Sequence, residues 1–446
     1  MKRNFAPPAF VIKLINLAYE RVFHEKIGDE VKSFLKNLSY VAVGTLIATL
    51  LSFAFNILGG RILGPAEYGK FTLVQSVAMF LYIPMLLGFQ TAIVKYTSEK
   101  EDFQRQSKII STTFILVFIF TIASCVLYSI FSSQLSNVFS IPYELFYLSL
   151  IFAVLFVFYT VTTSTLNGLF KMKTFAIFQS IYAAIALFAF LLFIFAGNLL
   201  SFKSTVYSIF LAYGIVSAIL AVFFLRKYLR FHFDKSWANI LTQYSMFAVI
   251  GGLTFVFYTN VDKIMINRYM TVADVGIYRA YYLASINVAG LFGGVFNTVF
   301  FPTASKYQDK GVIFNRINKL IPYLIGLGIP FILVCEFIIL KFYGGQYPFN
   351  LSWMILFAIA AIIVVIYGFY AWLMASVGQK GIKVVAFSEV ISAAVNIGLN
   401  IIFIPLIGVS GAIIATITSY SVSLCLVLSK RHLMQRNDQA GGISIE

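Results

Sequence analysis

Apolar stretches of about 20 residues recur along the whole chain, separated by short polar connections. They fall near 39–60, 72–94, 109–131, 145–168, 175–196, 204–225, 242–265, 278–301, 318–340, 351–377, 384–406 and 409–429. Each is long enough to cross a hydrocarbon layer about 30 Å thick. Within lipid only helices and closed barrels satisfy the backbone internally. Barrel strands alternate apolar and polar positions, whereas these runs are continuous, so the pattern predicts helices. Before the first run, Val11, Leu14, Ile15, Ala18, Val22, Val31, Phe34 and Leu35 recur at helical spacing among Lys, Arg and Glu. That predicts a cytoplasmic amphipathic helix on the membrane face over 1–38. Residues 431–446 are polar with paired glycines and read as a disordered cytoplasmic tail.

Composition agrees with a lipid-facing surface. Of 446 residues 60% are hydrophobic and 11% charged, against about 25% charged in a soluble domain. The net charge of +16 would suggest nucleic acid in a soluble protein. Here it fits basic loops on the cytoplasmic side and anionic headgroups or an anionic substrate, with no nucleic-acid partner expected. The Lys and Arg are unevenly shared between alternating connections, 26 on one side and 7 on the other. That bias places both termini in the cytoplasm and requires an even number of spans, twelve on this reading or ten with two re-entrant pieces. Residues 1–38 lack a signal-peptide pattern.

The chain repeats itself. Arg61, Ala66, Glu67, Gly69 and Phe71 align with Arg268, Ala273, Asp274, Gly276 and Tyr278 at an offset of 207. Phe89-Gln90-Thr91 meets Phe296-Asn297-Thr298 at the same offset. Gly168, Lys173, Gln179, Ala183 and Ala184 meet Gly378, Lys383, Glu389, Ala393 and Ala394 at 210. The fold class expected is therefore all-α and membrane-integral. About twelve helices would form two like-oriented six-helix lobes, 39–230 and 231–430, related by a pseudo-two-fold axis along the membrane normal. Parallel repeats of this kind place a substrate path between the halves.

Three segments also resemble a known family. Arg61-Ile-Leu-Gly64-Pro65-Ala-Glu67-Tyr68-Gly69 is similar to the signature loop of polysaccharide flippases. Asn260-Val-Asp262-Lys263 running into Val275-Gly276-Ile-Tyr278 resembles their seventh-span region. Asn396 through Pro405, Gly408, Gly411 and Thr416 resembles their last two spans. The resemblance is to the O-antigen flippase branch of the multidrug/oligosaccharidyl-lipid/polysaccharide exporter superfamily and covers about 40–430. It implies a V-shaped fold around a central cavity. It also implies transport of polyprenyl-diphosphate-linked oligosaccharide from the cytoplasmic to the outer leaflet of the cell membrane, with other polysaccharide-assembly proteins as candidate partners.

Charges within spans cost roughly 2.5–3.5 kcal/mol at a helix centre and persist where they meet water, a partner or a ligand. A lipid diphosphate can be forked by Arg and met as a point charge by Lys. The substrate-binding candidates are Lys95, Lys263, Arg268, Arg279 and Arg61, with Gln90 and Asn297 for sugar hydroxyls. Each cation alone could instead snorkel to the headgroups. Arg61 and Arg268 could cap the last carbonyls of spans 1 and 7 or pair with Glu67 and Asp274. Asp262, Glu389 and Glu336 are the acids that could take up H⁺ or Na⁺, or else hold helices together. Glu389, Ser392, Asn396 and Asn400 share one face of span 11, and Gly44, Ala48, Ser52 and Asn56 one face of span 1. Such faces are helix contacts or cavity walls.

Catalytic motifs are not found: no Walker loop, Gly-x-Ser-x-Gly or His-Glu-x-x-His is present. No cofactor, metal site or enzymatic activity is expected. A drug or cation antiporter of the same superfamily is the alternative, although acids are scarce. A membrane glycosyltransferase or polymerase would need a larger outer loop, and a scaffold without transport activity remains a further reading.

Overall fold

The computed structural model describes residues 29–230, 232–291, 293 and 310–435, with the side chains of 29–42, 247, 250 and 435 excepted. Among the described residues the regular structure is helical. The chain order is α1 (Asp29–Leu86), α2 (Phe89–Ser98), α3 (Phe103–Ile130), α4 (Ser132–Phe139), α5 (Tyr143–Gly168), α6 (Met172–Phe195) and α7 (Phe202–Ile219). It continues with α8 (Lys235–Tyr269), α9 (Val272–Tyr282), α10 (Lys310–Tyr343), α11 (Leu351–Ala375), α12 (Gln379–Ile407), α13 (Val409–Ser429) and the short α14 (His432–Gln435). Widened π turns, Leu220–Leu225 and Leu283–Asn287, extend α7 and α9. Most of the amphipathic segment lies outside the described residues, as do Asn297 and 436–446. Residues 29–38 are helical and continuous with the first span. The tail departs from the expected disorder at its start, because α14 forms and Met434 is buried.

Nine described helices are long and apolar enough to cross a membrane, and the bent pair Lys235–Met246 and Gly251–Tyr269 makes ten. The apolar stretch Val43–Leu86 has 44 residues, about twice what one crossing needs at 1.5 Å per residue. Gly64 interrupts it with φ 80° and ψ 168°, outside the helical region. Dividing α1 there into α1a and α1b gives eleven spans, and α9 opens the twelfth before it runs into residues outside the description. The fold is thus the expected all-α membrane architecture of twelve helices in two six-helix lobes. Lipid-facing side chains such as Phe223, Phe195, Leu406 and Leu327 are exposed and apolar, as a hydrocarbon solvent requires.

Within the first half α1a lies on α6. Gly44 faces Ala176, whose carbonyl lies 2.8 Å from where a Cβ would sit, so this small-residue face is a helix contact. Within the second half α12 packs on α13 and α8, and α11 on α13 and α10. Two sets of contacts join the halves. At the Arg61 end α1b crosses α9, and the repeat-related glycines meet there. A Cβ on Gly276 would strike Pro65 O and lie 3.0 Å from Gly69 N, while one on Gly69 would strike Val272 O. Tyr347 Oη donates to Gly60 O at 3.0 Å, and the hydroxyls of Tyr68 and Tyr343 lie 3.3 Å apart. At the Lys95 end the first third of α8 docks on α2 and α3, with Tyr96 against Trp237 and Tyr244.

The α8 start is fixed by Asp234. Its carboxylate accepts from Ser236 N and Trp237 N at 3.0 and 3.1 Å, and Lys108 stands 3.6 Å away. The Trp237 N–H chiefly, with Lys108 beside it, holds the Asp234 carboxyl below the usual range. Asp234→Ala is expected to cost about 1 kcal/mol of stability at neutral pH. Because the folded-state value is depressed, that contribution is present above the unfolded-state pKa and fades as pH falls through the folded one. Thermal unfolding of both proteins at neutral and acid pH checks this: the gap should narrow in acid.

Candidate functional site

Asp262 is the centre of the most connected buried polar group. It lies on α8 about two turns before the helix end and is 1% exposed. Tyr278 Oη donates to its Oδ2 at 2.7 Å, Asn400 Nδ2 to its Oδ1 at 2.6 Å, and Thr416 Oγ1 to Oδ2 at 3.1 Å. Asn400 Nδ2 also reaches Asn396 Oδ1 at 3.0 Å. The three partners come from α9, α12 and α13, so one carboxylate ties three helices to α8. The polar face of α12 therefore turns inward, with Ser392 Oγ also donating to Ser419 O at 2.9 Å. Asn400 Oδ1 is buried and has no partner among the described residues. A carboxylate with amide and hydroxyl oxygens suits a proton or a hard monovalent cation, not a thiolate-seeking metal. Asp262, Asn396, Asn400 and Thr416 are the residues that would hold it.

Lys263, the next residue, points another way, since neighbouring helix positions diverge. It is 2% exposed, donates to Thr259 O, and its Nζ lies 4.9 Å from the Tyr282 ring centre. Arg279, one turn before the π turn on α9, stands at the junction of the halves. Its Nη2 reaches Gln75 Oε1 on α1b at 3.5 Å, and it lies against Tyr68 and within electrostatic reach of Lys263. Its Nε is buried without an acceptor among the described residues. Lys95 is exposed at the opposite end of the junction, where its Nζ sits 4.3 Å from the Tyr244 ring centre, linking α2 to α8. The structure thus brings Lys263 and Arg279 together, with Lys95 at the same junction but at its far end.

Other candidates fall elsewhere. Arg61 Nη1 donates to Phe342 O, the end of α10, at 3.2 Å. It neither caps span 1 nor pairs with Glu67, which instead holds Lys70 at 2.6 Å and accepts from Phe202 N at 2.8 Å. Asp274 forms a capping box with Thr271 and does not pair with Arg268, which is exposed at the end of α8. The cross-link corresponding to that of Arg61 is made by Asn267, whose Nδ2 reaches Ser140 O at 2.7 Å. Gln90 Oε1 is buried with no partner among the described residues. Glu389 is half-buried, 3.5 Å from Tyr367 Oη. Glu336 is fully buried, with both carboxylate oxygens unpartnered among the described residues. The three acids do not gather. Sequence reading missed Tyr278 as the donor to Asp262; a tyrosine two residues after the repeated Gly276 was the available signal.

Comparisons with known proteins agree with this architecture. The family model described as polysaccharide biosynthesis protein matches residues 34–308. A curated relative from Haloferax volcanii, the probable low-salt glycan biosynthesis flippase Agl15, is 25% identical over 197 residues, 42% of this chain. That match spans 41% of the relative's length. Among solved structures, the lipid II flippase MurJ in its inward closed conformation is similar with a TM-score of 0.66, 18% identity and 87% of each chain covered. An inward-facing multidrug resistance MATE family transporter of the MOP superfamily gives 0.65 at 12% identity, covering 87% of this chain and 95% of its own. An outward-facing one gives 0.58 at 12% identity, covering 89% and 95%. At such identities these likenesses speak to the fold.

Proposed function

We propose, for a chain that belongs to the polysaccharide biosynthesis protein family, that it flips polyprenyl-diphosphate-linked oligosaccharide across the cell membrane. Movement runs from the cytoplasmic to the outer leaflet by alternating access, with both termini cytoplasmic and membrane lipids around it. The lobes are taken as 39–230 and 231–430. One observation carries the reading: Arg279 sits where the two halves meet, with a buried Nε–H that no acceptor among the described residues takes. Lys263 places a second basic side chain within electrostatic reach of it. An anionic diphosphate supplies the acceptor that the Arg279 Nε lacks among the described residues and leaves its prenyl chain in lipid.

The transport is ion-coupled on this reading, with Asp262 as the H⁺ or Na⁺ site. Three helices of the second half converge on that carboxylate. Adding or removing one positive charge there changes the balance of donors around it, which biases the packing of α8 against α12 and α13. Glu389 favours a second, weaker reading as cation antiporter, because Tyr367 stands beside it and carries the ring contact on to Tyr420.

Vesicles reconstituted with the full chain and a fluorescent lipid-diphosphate sugar provide the test. Arg279→Gln is expected to slow flipping about tenfold, a loss of roughly 1.4 kcal/mol in the transported state. Lys95→Gln, at an exposed cation–π contact worth about 0.5–1 kcal/mol, should slow it only two- to fivefold. Unchanged rates in Arg279→Gln, with folded protein, would remove the diphosphate from this junction. Uptake of organic cations in place of lipid would favour the antiporter.

A further inference from the structure

We propose that the lipid-facing seam between α6 and α7 is a docking site for a polyprenyl-diphosphate lipid, with the diphosphate on Lys171, Arg226 and Lys227 and the prenyl chain along the seam. These helices are not those that carry Arg279, so the site is separate from the junction. It rests on the flippase reading and names a place where the substrate binds before it enters. The two helices run antiparallel, with Phe178 against Phe224 towards one end and Phe193 against Tyr207 towards the other. The start of α6 and the finish of α7 therefore share one end of the molecule. On the orientation proposed above, that end faces the leaflet that supplies the substrate.

There a cavity of ≈ 680 Å³ is lined by Lys171, Val222, Phe223, Phe224, Arg226 and Lys227. Among the described residues none of its three cations forms an ion pair. Lys171 and Lys227 instead lie over one buried ring, that of Tyr228, 5.6 and 5.0 Å from its centre. Tyr228 is fixed in turn, because its carbonyl accepts from Ser107 and Ser111 Oγ on α3 at 2.8 and 2.9 Å. Burial first, and the Lys227 charge after it, lower the pKa of Lys171. Two lysines held together without an acid are relieved by an anion, and Arg226 adds a fork suited to phosphate oxygens. The widened turn Leu220–Leu225 carries the apolar half of the wall, where Val222 and Phe223 are 54% and 76% exposed. Cations bordered by open apolar surface fit the head of a lipid better than a free phosphate.

A second cavity on the same helix pair gives the chain its place. It measures ≈ 520 Å³ and lies between 184–193 of α6 and 211–215 of α7, with apolar residues as its whole lining. Between the two cavities α7 presents small residues, Ala218 and Ala221, neither of them buried. A Cβ on Gly214 would meet nothing within 4 Å. Small side chains thus leave a track from the basic cavity to the apolar one. Ile215 and Leu211 precede Arg226 by eleven and fifteen residues, about 16 and 22 Å along the helix. The chains of a phospholipid span about half of a hydrocarbon layer about 30 Å thick. A phospholipid headed on the cations would end where the far cavity begins. A polyprenyl chain, longer than one leaflet is deep, fills it, and a diphosphate matches three cations better than a single phosphodiester charge does.

Photolabelling of the detergent-solubilised full chain tests this. The probe is undecaprenyl diphosphate with a diazirine in the distal part of its prenyl chain, and labelled peptides are identified by mass spectrometry. Label is expected on 184–193 and 211–215. It should fall about tenfold when Lys171→Gln and Lys227→Gln are combined, which removes two of the three charges. Ala184→Trp, which fills the far cavity from an exposed position, should lower it by a similar factor, while Arg279→Gln leaves it unchanged. Phosphatidylglycerol at the same concentration should compete only weakly. Full competition would assign the seam to bulk phospholipid. Label spread evenly over lipid-facing helices, or seam label untouched by the lysine substitutions, would show ordinary solvation by lipid. Each of these outcomes overturns the site. Flipping by the wild type in vesicles separates the two readings: flipping without seam label would sink the docking site alone, and neither flipping nor label would sink both.

Discussion

Asp262→Asn is expected to cut gradient-driven flipping at least tenfold while leaving a folded protein. The amide keeps the shape and one acceptor oxygen, so Tyr278, Asn400 and Thr416 retain a shared partner. What it loses is the charge proposed to bind H⁺ or Na⁺. Asp262→Ala should behave differently. It leaves three buried donors unmade, at about 1–3 kcal/mol each, and should lower the unfolding temperature and the yield. The measurement is flipping in vesicles with and without imposed Na⁺ and pH gradients, beside thermal unfolding with and without Na⁺. A wild-type response to gradients in the asparagine variant would remove Asp262 from coupling.

Gly276→Val is expected to lower flipping by a comparable factor through the opposite route, by preventing closure at the Arg61 end. The atoms a Cβ would meet there are backbone, Pro65 O and Gly69 N, so no side chain can swing aside. Overpacking of this kind costs typically 1–3 kcal/mol, and it acts only in the conformation where α1b and α9 touch. The equilibrium should therefore move toward a state open at that end. A cysteine at Ala273 in a background without Cys125, Cys335 and Cys425 should label faster when Gly276 is replaced. Gly398, where a Cβ meets nothing within 4 Å, is the control position, and its alanine variant should flip and label normally. Unaltered labelling in Gly276→Val would mean that this crossing is not a gate.

Much of the fold was legible because the solvent dictates it. Twelve apolar runs had to become helices, and the repeated Gly69 and Gly276 announced a two-fold arrangement before any contact was known. The centre of the candidate site was legible too, since a carboxylate inside an apolar run is expensive. Its partners were less so. Asn400 and Thr416 lie 138 and 154 residues from Asp262, and only the regular spacing of polar residues on α12 hinted that this face turned inward. Arg61 could not be placed from sequence. Its acceptor is 281 residues away, and local spacing favoured Glu67, which a nearby lysine and a backbone N–H had already occupied. The contact of Lys95 with Tyr244 was invisible for the same reason: nothing local distinguishes a snorkelling lysine from one laid over a ring.

The 47° bend in α8 has a mechanical meaning. Its first arm rests on α2 and α3 while its second arm carries Asp262, so a single continuous rod is clamped at one end to each half of the molecule. On the ion-coupled reading proposed above, a tilt imposed by ion occupancy on the long arm would be transmitted as torque to the short arm more than two turns away, with no loop to dissipate it. The elbow near Gly251 and Gly252 would then set how far the halves swing, much as a crank fixes the stroke of a piston.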